Sequence, residues 1–207
     1  MTTIDLNCDL GESFGAYKMG NDDEILPFVS SINVACGFHA GDPTVMRKTV
    51  EKALQHNVAI GAHPGFPDLI GFGRRNMNVS ASEVYDYVLY QIGALDAFVK
   101  AAGGKIHHVK PHGALYNMAA TNPEIADAIA KAIYDSNPNL LFYGLANSKA
   151  FIQAAEKYNI TLVQEAFADR TYKQDGTLTS RTEENALIKD EDEAIKQVLQ
   201  MVKEGYE

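Results

Sequence analysis

Short β-branched runs alternate along this chain with longer stretches in which apolar residues return every third or fourth position. That is the pattern of a parallel sheet whose strands are joined by helices. The runs predict strands over 4–10, 32–38, 58–62, 107–110, 140–145 and 161–167. Between them, 44–56 places Met46, Val50, Ala53 and Leu54 on one helical face, and 80–102 does the same with Val84, Val88, Ile92, Leu95 and Val99. Helix starts are signalled as clearly. Ser80 with Glu83 makes a capping box, Asn122-Pro123 supplies a cap followed by proline, and Asp42-Pro43 repeats that arrangement.

Polar residues interrupt the pattern at the strand ends. Three apolar runs stop at a histidine set among glycines: NVACGFHAGDP at His39, VAIGAHPGFPD at His63 and HHVKPHGALYN at His112. Because unusual residues follow nearly every strand, the expected fold is an α/β (β/α) barrel, seven-stranded or incomplete, with its site in the loops after the strands. No composition break or low-complexity tract divides the chain, so one domain over 1–207 is expected.

Composition changes this picture little. An apolar fraction of 46% and a charged fraction of 22% suit a globular domain. The formal charge of -9 argues against a nucleic-acid groove. The N-terminus lacks a secretory pattern and no run is long enough for a membrane span, so a cytoplasmic protein is expected. Cys8 and Cys36 fall in predicted strands and read as packing thiols in a reducing compartment. A nucleophilic Cys36 beside His39 is the rival reading.

The first strand ends in DLNCDLGE, with Asn7 and Asp9 alternating on one face and Glu12 just beyond. A carboxylate among leucines needs a cation, a metal or hydrogen bonds, which makes Asp9 a ligand or general-base candidate. Asp42 is explained by capping. His56 reads as a helix-end charge, and of His107 and His108 at most one points inward, both structural. Arg74 and Arg75 in GFGRR suit phosphate or carboxylate oxygens. Lys110, inside a strand, suits a carboxylate or oxyanion, and His112 a proton transfer. EAFADRTY adds Glu165, Asp169 and Arg170 at another strand end, with Glu165 able to pair with Lys110. Asn147 after the fifth strand reads as a helix cap.

Taken together, DLNCDLGE, NVACGFHAGDP, GAHPGFPD with GFGRR, VKPHGALYN and EAFADRTY resemble the LamB/YcsF family, also known as the A subunits of 5-oxoprolinase. The resemblance runs from residue 5 to about residue 188. It implies ATP-dependent hydrolytic opening of 5-oxoproline to L-glutamate, ADP and phosphate, together with 5-oxoprolinase subunits B and C. ATP would be a co-substrate bound by this chain or by its partners. The implied fold is similar to the incomplete barrels of the polysaccharide-deacetylase superfamily. Two departures accompany it. TEENALI follows Arg181 where the family carries a Pro-Gly-Ala turn, and the sequence ends at Glu207 before a family strand closing on a Val-His-Gly-Asp-like string.

For ring opening, Lys110, Arg74 and Arg75 are expected to meet phosphate and carboxylate, Asp9 or Glu165 to activate water, and His39, His63 or His112 to protonate nitrogen. Asn7, Glu12, Asp169, Arg170 and Arg181 complete the expected binding set. Two alternatives stand beside this. One is a metal-dependent deacylase with Asp9, His39 and His63 on a divalent metal. The other is a non-catalytic subunit that holds the lactam. Neither a nucleic acid nor a membrane is an expected partner, and self-association stays open.

Overall fold

The computed structural model describes residues 3–204. All six expected strands are present: β1 (Asn7–Leu10), β2 (Ser31–Ala35), β3 (Ala59–His63), β4 (His108–Val109), β5 (Leu141–Leu145) and β6 (Leu162–Glu165). They form one sheet in the order β1-β2-β3-β4-β5-β6. From β1 to β5 every neighbouring pair is parallel. This sequential order is that of a (β/α) barrel, and among the described residues it stops at six strands. The fold is mixed α/β, as the alternation of runs implies.

Seven helices lie among the described residues: α1 (Asp22–Ile25), α2 (Pro43–Gln55), α3 (Ala81–Ala101), α4 (Gly113–Ala119), α5 (Pro123–Ser136), α6 (Lys149–Tyr158) and α7 (Glu191–Glu204). Their starts follow the local chemistry. Asp42 accepts from the Val45 amide at 2.9 Å, Asn122 from the Glu124 amide at 3.0 Å, and Ser80 and Glu83 form the reciprocal capping box. The residue that caps α6 is Ser148 rather than Asn147, which instead takes a left-handed backbone at φ 63°. The apolar stripe of α3 is fully buried, with Val84, Val88, Ile92, Leu95 and Val99 all closed to solvent. No described helix is long and apolar enough to cross a membrane.

The chain divides into two compact units. The first holds residues up to 144 and 148–163, and so contains β1 to β4, α1 to α6 and most of β5. Its core gathers Ile32, Ile60, Phe66, Phe142 and Phe151. The second holds 145–147 and the residues from 164 onward. There the isolated bridges Arg170 to Leu187 and Tyr172 to Leu178 tie an irregular segment together. Gln197 on α7 donates to the carbonyls of Phe167, Ala168 and Arg170 at 3.0–3.1 Å. Neither cysteine is disulfide-bonded. Cys36 is buried just beyond β2, and burial pushes its thiol up to about 12, which disfavours the thiolate a nucleophile needs. Cys8 is only half-buried.

Candidate active site

The strand ends of the first unit bring His39, His63 and His112 into contact. His39 and His112 stack in parallel at 3.7 Å between ring centroids, and His63 stands edge-on to both. All three are buried. Glycines make this packing possible. A Cβ at Gly65 would fall 2.6 Å from His39 Nδ1, and one at Gly73 would fall 2.7 Å from His39 Cβ and 2.9 Å from His112 Cδ2. The glycine-loosened turns therefore serve close approach of backbone to imidazole.

Carbonyl partners settle two tautomers. His63 Nδ1 lies 2.7 Å from the Lys110 carbonyl and His112 Nε2 lies 2.8 Å from the Phe72 carbonyl, so both nitrogens donate. Phe72 holds its carbonyl there from a left-handed backbone at φ 53°. The remaining nitrogens, His63 Nε2 and His112 Nδ1, face each other at 2.9 Å. Burial and then the charge of His63 push both His39 and His112 well below the usual imidazole range.

Asp9, projecting from β1, lies beside this group, its Oδ2 3.4 Å from His63 Nε2. Its Oδ1 accepts from Asn33 Nδ2 at 2.8 Å and lies 3.5 Å from Lys110 Nζ. Burial would raise this carboxyl, but His63 and Lys110, with hydrogen bonds from His63 and Asn33, hold it well below the usual carboxylate range. Lys110 is buried, and its ammonium also reaches Asn7 Oδ1 at 3.5 Å. Asn7 and Asn33 exchange amide contacts, and Asn7 donates to Ser31 at 2.7 Å. Glu12 lies with one oxygen 3.8 Å from His39 Nε2.

The two arginines differ. Arg75 closes onto the buried Asp68 with its Nε 3.0 Å from each carboxylate oxygen, and this pairing holds Asp68 below its ordinary value. Arg74 is exposed, with its guanidinium 4.8 Å over the Phe72 ring, which in turn packs edge-on against His39 and His112. Arg74 is therefore the loop cation nearest the imidazoles. Asp42 spends both oxygens on backbone, on Val45 and on the Gly15 amide at 2.9 Å.

Glu165, Asp169, Arg170 and Arg181 belong to the second unit. Arg170 is buried and donates to the carbonyls of Thr179 at 2.6 Å and Ala186 at 3.2 Å. Arg181 is exposed.

Three residues of the first unit add to the expected set. Asn33, fully buried on β2, links Asp9 to His108, whose Nε2 lies 2.7 Å from Asn33 Oδ1. His107 points outward, so one histidine of that pair is inside, and the inward one is part of this network. Gln91 of α3 holds Gly65 from both sides, accepting from its amide at 2.9 Å and donating to its carbonyl at 3.0 Å. An asparagine or glutamine within an apolar strand or stripe is the signal that marks such residues, because it costs free energy unless hydrogen-bonded.

A sequence model of the LamB/YcsF family matches residues 4–206. The chain is 96% identical to the A subunit of a 5-oxoprolinase from Bacillus cereus and 93% identical to that of Bacillus thuringiensis subsp. konkukian. Each match covers 206 residues, the whole of this chain and 81% of the relative. A solved structure of a lactam utilization protein from Thermus thermophilus superposes with a TM-score of 0.93 at 50% identity, covering 99% of this chain and 82% of that one.

Proposed function

The chain belongs to the LamB/YcsF family, and from that premise we propose that it carries out the hydrolytic ring opening of 5-oxoproline to L-glutamate, as one subunit of an ATP-dependent 5-oxoprolinase. The carrying observation is the convergence of Asp9, Lys110 and three buried histidines at the strand ends of one unit. A five-membered lactam is a poor electrophile, and phosphorylation of its amide oxygen by ATP would make the ring carbon attackable. In this reading partner subunits B and C supply that activation.

The residues suit the hydrolytic half of such a reaction. Water adds to the activated ring carbon, the carbon–nitrogen bond breaks as the nitrogen takes up a proton, and hydrolysis of the acyl phosphate so formed releases phosphate and leaves the side-chain carboxylate of glutamate. The buried cation Lys110 and the exposed Arg74 meet the negative charge of carboxylate and phosphate. Asp9, held ionised, orients the imidazole edge beside it, as a carboxylate does when it fixes a histidine for proton transfer. The His63–His112 pair then holds the proton the nitrogen needs. A water-excluding wall of glycine backbone and imidazole faces strengthens each of these charges.

The test is glutamate release from 5-oxoproline and ATP by the assembled complex, omitting each subunit in turn. Release should require this chain and fall at least about a hundredfold with His112→Ala or Asp9→Ala. Full turnover by a complex carrying both substitutions would overturn the assignment.

A further inference from the structure

The four side chains Glu12, His39, His63 and His112 place one donor atom each within 4.8 Å of one another. Two features of that group are unexplained by packing. His63 Nε2 and His112 Nδ1 face each other at 2.9 Å although each imidazole already donates its other N–H to a carbonyl. Two neutral rings so oriented would oppose lone pair to lone pair, and a positive centre between them removes the conflict. Second, His39 is completely buried, yet neither of its ring nitrogens has a hydrogen-bond partner among the described residues. A buried imidazole nitrogen without a partner loses the hydrogen bond that water would give it and gains none in return.

We infer that this group is a seat for one divalent transition-metal ion, held by His63 Nε2, His112 Nδ1, the Glu12 carboxylate and His39. The donor set is that of a zinc-type ion, three imidazoles and one carboxylate. The outer contacts are already in place. The Lys110 and Phe72 carbonyls fix the second nitrogens of His63 and His112, which is how protein scaffolds orient metal-binding imidazoles. Tetrahedral donors stand about 3.3 Å apart, so the 2.9 Å and 3.8 Å spacings seen here need only small side-chain shifts. His39 asks for more. Stacked parallel on His112, its lone pairs lie in a separate plane, and the ring joins the shell by tilting. Gly65 and Gly73 bring the backbone so close to this ring that any side chain there would collide with it.

Asp9 is placed outside the seat. Its oxygens are engaged by Asn33 and lie beside Lys110 and His63, where the carboxylate balances charge rather than completing the shell. With an ion bound, His63 and His112 would be ligands rather than carriers of the proton in the proposed reaction. The inference deepens the ring-opening reading in this respect, while the seat itself stands on the donor geometry.

The experiment is titration of the full, chelator-treated chain with Co²⁺, followed by visible absorption, and with Zn²⁺, followed by calorimetry. One equivalent of each should bind, and the cobalt bands should have the intensity of a four- or five-coordinate ion. Glu12→Gln and His112→Asn should each weaken binding at least about tenfold, whereas Asp9→Asn should keep one equivalent. Circular dichroism checks that each variant is folded, and the partly exposed Glu12 provides the substitution least able to disturb folding. No stoichiometric binding, or undiminished binding in both Glu12→Gln and His112→Asn, overturns the seat. Loss in Asp9→Asn alone replaces this donor set with another. A chain that binds no metal yet opens 5-oxoproline with its partners removes the seat and leaves the function. One that binds metal but is dispensable for glutamate release does the reverse.

Discussion

His108 Nε2 lies 2.7 Å from the side-chain oxygen of Asn33, and this buried contact decides which way the Asn33 amide faces. With its oxygen taken by His108, Asn33 must present its NH2 group to Asn7 and to Asp9. A neutral histidine on β4 therefore orients a carboxylate on β1 through one asparagine on β2. Substituting Asn33→Leu removes the link and leaves His108 and one Asp9 oxygen short of a partner. The expected loss is about 1–3 kcal/mol for each buried group stranded, read from urea unfolding. Turnover of the assembled enzyme should fall with it, while Asn33→Leu stability equal to that of the parent would show the link to be idle.

The same histidine carries a pH signature. Burial first, and then the neighbouring His107, push His108 down to about 3, against Asp5, which favours its charged form. Lys110 and His63 add to the downward push. The folded chain thus refuses a proton that the unfolded chain accepts near pH 6.5. Stability from this group is complete above that value and is lost as the pH falls toward 3, by up to about 1.4 kcal/mol per pH unit. His108→Gln keeps a donor for Asn33 but no titration. Between pH 7.5 and pH 5.0 the parent should lose about 1–2 kcal/mol more than the variant, measured by urea midpoints at both values.

Much of the fold and part of the site were readable in the chain. Six short apolar runs correspond to six strands, because burial on both faces of a parallel sheet demands such runs. Their ends moved by one to three residues, as with β1, which starts at Asn7 rather than residue 4. Residues 168–190 show no periodicity to read, and they form an irregular segment held by isolated bridges. His39, His63, Lys110 and Asp9 were visible because each breaks an apolar run. His108 was hidden behind His107, since adjacent strand residues face opposite ways and sequence does not say which is inside. Gln91 was hidden within the helical stripe of α3. Arg75 looked like Arg74 in the sequence, and only the fold shows that Asp68 claims it.

Gln91 leads to a third prediction. Its amide is buried and bonded at both ends to Gly65, with a further bond to the Tyr87 carbonyl at 2.8 Å. Gln91→Leu keeps the volume and strands the Gly65 amide and carbonyl, at a cost of about 1–3 kcal/mol. Because Gly65 backs the His39 ring, the variant should also lower kcat while KM moves less. Unchanged kcat in a destabilised Gln91→Leu chain would confine the residue to folding.

Gly65 itself gives the sharpest contrast with another glycine. A Cβ at Gly65 would fall 2.6 Å from His39 Nδ1 and 3.0 Å from Cγ, so Gly65→Ala must drive the His39 ring out of its stack on His112. Gly93, on α3, has nothing within 4 Å of the corresponding position, and there alanine gains helix propensity of about 0.5–1 kcal/mol. The two substitutions add the same methyl group with opposite expected results. Gly93→Ala should raise the melting temperature and leave glutamate release unchanged. Gly65→Ala should lower stability by about 1–3 kcal/mol and lower turnover further than that loss accounts for at a temperature where the chain remains folded. If Gly65→Ala behaves like Gly93→Ala in both measurements, the imidazole stack tolerates displacement and its geometry is not what the site depends on.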